Sequence, residues 1–69
     1  MVYTELEGRI IKVDRGNVTI QVHREEKGKP QTYEVTLPCA ENFVIDRAVG
    51  CVGSKVKVAV SDGRIREIK

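Results

Sequence analysis

Between Arg9 and Val22 the chain reads RIIKVDRGNVTIQV: two β-branched runs separated by Asp14, Arg15, Gly16 and Asn17. This stretch restricts the fold more than any other. Val18, Ile20 and Val22 alternate with Thr19, Gln21 and His23, while Ile11 and Val13 alternate with Ile10 and Lys12. A period of two in Val, Ile and Thr is the pattern of half-buried strands. Gly and Asn tolerate positive φ, so the residues between the runs predict a tight hairpin. Pairing Val13 with Val18 sets Ile11 opposite Ile20; centring the turn on Gly16-Asn17 pairs Val13 with Ile20. Either register places Ile11, Val13, Val18 and Ile20 on one apolar face.

The same logic extends along the chain. Tyr33, Val35 and Leu37 alternate with Thr32, Glu34 and Thr36 and predict a third strand, stopped by Pro38. Tyr33 falls on its core side. Before it, Glu25 to Pro30 reads as a solvated loop, from its charge, Gly28 and Pro30. Val56, Val58 and Val60 alternate with Lys55, Lys57 and Ala59, and Asp62-Gly63 is a hairpin turn leading to Ile65. Residues 1–7 begin the first strand, with Gly8 expected to mark a bulge or barrel corner that returns Leu6 to the core. Strict alternation leaves Ile10 and Ile68 on the wrong side for the core, so the last strand bulges, frays or serves a partner at its end.

Residues 39–54 carry two readings. Asn42 can cap a short helix over Phe43 to Ala48, or Phe43, Ile45 and Arg47 can form another strand. The β-branched Val44 and Ile45 weigh against the helix. Sixty-nine residues make one domain, 1–69. The expected fold is all-β, a small five- to six-stranded barrel. Three strands, a helical link and two strands is the OB-fold order; a strand at 43–49 gives an SH3-like barrel instead. Closure is expected because an open sheet this small leaves long edges unpaired. The expected core is Val13, Val18, Ile20, Val22, Val35, Leu37, Val56, Val58 and Ile65.

Several function classes find no support in the chain. His23 is the only His, and Cys39 and Cys51 are too far apart in sequence for a zinc pair. Neither a phosphate-loop nor a dinucleotide glycine motif occurs. No nucleophile–base pair stands out, so an enzyme is not expected, nor a cofactor or metal. There is no apolar leader and no run that could span a bilayer, which reads as a cytoplasmic chain. Two cysteines are fewer than a secreted disulfide scaffold carries, and free thiols are expected over a Cys39–Cys51 bridge.

The informative charge is local. The net charge is only +2, from 12 basic and 10 acidic residues. With the valines inward, Lys55, Lys57, Arg64 and Arg66 project outward together from the last hairpin, with no acid on that face. Arg9, Lys12 and Arg24 are possible additions. Such a stripe matches a phosphate backbone. It also serves to keep an edge hairpin soluble and unpaired. Exposed rings for base stacking are scarce, with only His23 and Tyr3 as surface candidates. A second expectation is a protein-interaction or oligomerisation module, a homodimer for example, in which Ile10 and Ile68 supply the apolar contact.

The pattern resembles S1-type and related OB-fold barrels. The resemblance is carried by Gly8-Arg9-Ile10-Ile11, the turn at Gly16, and Gly53-Ser54-Lys55-Val56-Lys57-Val58 leading to Asp62-Gly63-Arg64-Ile65. It implies binding of RNA or single-stranded DNA. Where such domains expose aromatics on the second and third strands, this chain has Thr19, Gln21, Thr32 and Glu34.

Overall fold

A computed structural model describes residues 3–69. It contains five strands and one helix, in the order β1 (Tyr3–Asp14), β2 (Asn17–Glu26), β3 (Lys29–Pro38), α1 (Asn42–Gly50), β4 (Lys55–Ser61) and β5 (Arg64–Ile68). All neighbouring strands are antiparallel, in the order β3-β2-β1-β4-β5. The two edges meet at one point. Cys39, just after β3, forms a parallel bridge with Ile65 of β5, and Ala40 N donates to Ile65 O at 2.9 Å. No helix among the described residues is long and apolar enough to cross a membrane.

Three hairpins share one turn chemistry. Arg15-Gly16, Lys27-Gly28 and Asp62-Gly63 each pair a residue at φ 50, 53 or 56° with a glycine at 79, 75 or 75°. Positive φ at both central positions gives a turn whose twist matches that of the strands. The first turn selects the Val13–Val18 register. The second corrects the expected loop over 25–30. Here β2 and β3 run on as a ribbon to Glu26 and Lys29, and Pro30 is tolerated because β3 is an edge strand.

The long β1 serves two partners. Residues 3–9 pair with β4 and residues 8–14 with β2, so the sheet folds over at Gly8, which faces both Val22 and Val56. A Cβ at Gly8 would run into the backbone carbonyl of Gln21. Gly8 is therefore a corner where strands come close, and no register shift occurs there. The shift lies between Ile10 and Lys12: Ile10 faces Ile20, Val13 faces Val18, and Ile11 is the extra residue. A second shift makes Arg66 the extra residue of β5, since Val60 faces Ile65 while Ala59 faces Glu67.

Four residues lie elsewhere than expected, three of them because of these two bulges. Ile10 and Ile68 are not surface residues; they are 0% and 2% exposed and belong to the core. Ile11, expected inside, is 39% exposed. Tyr33, also expected inside, is 41% exposed, because the inner face near it opens where β1 leaves β2. The core otherwise follows expectation: Val18, Ile20, Val22, Val56, Val58 and Ile65 are buried, and Val13, Val35 and Leu37 pack half-buried against them.

Residues 42–50 are helical, not a strand. Glu41 occupies the N-cap position, without a side-chain cap bond, and Asn42 is the first helical residue. Val44 and Ala48 are buried one turn apart and complete the core against the sheet. That burial outweighs the modest helix penalty of β-branched Val44 and Ile45.

Candidate nucleic-acid interface

Strand register places the charged side chains. Val56 and Val58 point inward, so Lys55 and Lys57 point outward, opposite Arg9 and Glu7 of β1. The β1 bulge puts Arg9 and Lys12 on that same outer face, opposite Gln21 and Thr19. At the other side of β4, Lys57 faces Lys69: Lys57 N donates to Lys69 O at 3.2 Å and Lys69 N to Lys57 O at 2.8 Å. Lys12, Arg9, Lys55, Lys57 and Lys69 thus form one cationic band across β1, β4 and the end of β5. Neighbouring strands lie about 4.8 Å apart and alternate residues about 6.8 Å along a strand, so successive charges fall within roughly 5–10 Å.

Among the described residues, Lys55 is the one member of this band with an ion pair, to Glu7 Oε1 at 3.3 Å. Both side chains are largely exposed, so the pair holds Lys55 weakly and leaves it free to exchange partners. A shallow depression of about 370 Å³ lies among Glu7, Lys55, Val56, Lys57 and Lys69.

The remaining expected cations lie elsewhere. Arg64 faces Ser61 beside the β4–β5 turn, four residues along β4 from Lys57. Arg66 is displaced by its bulge and sits 3.8 Å from Asp62 Oδ2. Arg24 is on the β2–β3 ribbon, 3.7 Å from Glu26 Oε1. The expected acid-free face is also corrected. The Arg66 bulge turns Glu67 to the side of Lys57, and Glu5 and Glu7 of β1 flank β4 on that face.

Sequence reasoning missed Lys69, Arg47 and Phe43. The signal for Lys69 was the three-residue spacing of Ile65 and Ile68, which two inward side chains satisfy only through a bulge. After that bulge Lys69 shares the face of Lys57. Phe43 is 60% exposed on α1, beside Arg47, whose Nε donates to Ile68 O at 2.7 Å.

The outer face of β2 and β3 is polar and carries no ring larger than an imidazole. Thr19 Oγ1 and Thr36 Oγ1 are 3.0 Å apart, Gln21 faces Glu34, and His23 Nδ1 lies 3.4 Å from Thr32 Oγ1. The backbone of Tyr3 pairs with Ser61, but its side chain, like Met1 and Val2, lies outside the described residues. Cys39 and Cys51 are free thiols, each half-buried against the core. Burial pushes the Cys39 thiol above its ordinary pKa.

Compared with known proteins, the chain matches no family model, no curated protein and no solved structure.

Proposed function

We propose that this chain is a small OB-type barrel that holds RNA or single-stranded DNA by its phosphate backbone, with little reading of sequence. The cationic band of Lys12, Arg9, Lys55, Lys57 and Lys69 carries this reading. Arg9 opposite Lys55 and Lys57 opposite Lys69 are like-charge pairs that cost stability, which a neutralising polyanion recovers, while Glu7 is the acid that stands within the band, opposite Lys57. The element order, the long first strand shared by two partners and the parallel contact of Cys39 with Ile65 support the OB topology. An SH3-like barrel required a strand where α1 lies. The alternative of an interaction module through Ile10 and Ile68 loses its residues to the core.

The mechanism is counterion release. Each phosphate contact to a single strand contributes about −0.7 to the slope of log K against log salt, so five contacts give about −3.5. The test is fluorescence anisotropy of labelled single-stranded RNA and DNA across a salt series. Arg9→Glu with Lys57→Glu abolishes binding at low salt, while Arg64→Glu with Arg66→Glu leaves most of it. Equal losses from the two double variants would remove the band as the site. No binding by the unmutated chain at low salt would end the nucleic-acid reading altogether.

A further inference from the structure

The cationic band ends on an aromatic ring. Lys69, its last member, lines two depressions at once: the one beside Lys55 and Lys57, and a larger one of about 540 Å³ with Phe43, Arg47, Glu67 and Ile68. Phe43 is the most exposed of the large apolar side chains among the described residues, at 60%. Its neighbour Arg47 is held by the 2.7 Å bond from Nε to Ile68 O, a bond that does not use the two terminal nitrogens of the guanidinium. An exposed ring that shares a depression with two cations, one of them the last member of the band, has the makeup of a base-stacking platform.

We infer that Phe43 stacks one unpaired nucleobase of a single strand whose phosphates run along the band, with Lys69 and Arg47 taking the phosphates that flank that base. The inference rests on the proposed function and adds to it a preference for single strands over duplex. A base inside a duplex is already stacked and offers no free face to the ring, whereas an unpaired base does. Tyr33, the other half-exposed ring, lies in a cleft with Glu5, Glu7, His23 and Arg24 that none of the five cations of the band lines. The Phe43 depression contains one acid, Glu67, on its wall. Removing that charge strengthens binding.

The experiment uses the full chain with a 12-nucleotide single strand, as DNA and as RNA, and the matching duplex, at low salt. Each single strand carries 2-aminopurine at one position in turn. Phe43→Ala lowers single-strand affinity roughly five- to hundredfold, as loss of one stacked base does, and leaves duplex affinity and the salt slope unchanged. The 2-aminopurine fluorescence is quenched by the unmutated chain and not by Phe43→Ala, Phe43→Trp restores both affinity and quenching, and Glu67→Gln binds more tightly. An unchanged urea midpoint shows that the Phe43→Ala variant is folded. Single-strand affinity unaffected by Phe43→Ala, without quenching by the unmutated chain, would overturn the platform and leave the cationic band standing. No binding of any strand by the unmutated chain would overturn both. A dimer in sedimentation that disappears with Phe43→Ala would assign the ring to a second copy of the chain and also overturn the platform.

Discussion

Lys57 and Lys69 exchange both of their backbone hydrogen bonds, at 3.2 and 2.8 Å, and so hold two positive side chains directly opposite each other at the sheet edge. Like charges in that position destabilise a strand pair by about 0.2–1 kcal/mol. Lys69→Glu therefore raises the urea midpoint of the free chain slightly and lowers its affinity for a polyanion. Stability and binding move in opposite directions. If Lys69→Glu lowers both, the pair has a structural role that repulsion does not describe.

Ile10 and Ile11 are neighbours with different fates. Ile10 is fully buried and Ile11 is 39% exposed, because the β1 bulge skips Ile11. Ile10→Ala costs about 2–5 kcal/mol, a large share of what so small a domain has. Ile11→Ala costs less than about 1 kcal/mol. Equilibrium urea unfolding of the two variants measures the difference, and equal costs would move the bulge elsewhere in β1.

Two glycines separate in the same way. A Cβ at Gly8 collides with the backbone carbonyl of Gln21, which cannot swing aside as a side chain end can. Gly8→Ala forces β1 and β2 apart and lowers stability by about 1–3 kcal/mol, the usual cost of an overpacked site. Gly50 closes α1 with nothing within 4 Å of its would-be Cβ. Gly50→Ala stabilises the chain by up to about 1 kcal/mol. Thermal unfolding shifts of opposite sign are the expected result.

Cys39 reacts slowly. Burial raises its thiol pKa, and the thiolate is the attacking form. In a Cys51→Ser background, the disulfide reagent DTNB at pH 8 modifies native Cys39 more slowly than Cys39 in urea. A folded-state pKa above the unfolded one contributes stability that is complete below the unfolded value and is lost as pH rises through the folded value. The stability loss thus falls on the alkaline side of the ordinary thiol value of 9.0. Equal rates in buffer and urea would show that the thiol is accessible.

Much of this fold was legible locally. Alternation in Val18-Ile20-Val22 and Val56-Val58, with X-Gly turns at Arg15-Gly16 and Asp62-Gly63, was enough for two hairpins and most of the core, because strand period and turn conformation are properties of a few adjacent residues. Ile10 and Ile68 were legible only as violations of that period. What resolves them is the long-range geometry of the sheet. Folding β1 over at Gly8 and bringing Ile65 against Cys39 demand extra twist, and bulges at Ile11 and Arg66 are how antiparallel strands supply it. The helix was undecided for the same reason: residues 42–50 have no strong propensity, and the space left over the core selects the helix that buries Val44 and Ala48. So the sequence by itself determined strands, turns and the cations of β4, while the tertiary structure decided which charges stand together. One skipped residue reverses every side chain after it, and that places Lys69 beside Lys57, sets Glu67 on the same face and so brings the band to the depression that Phe43 lines.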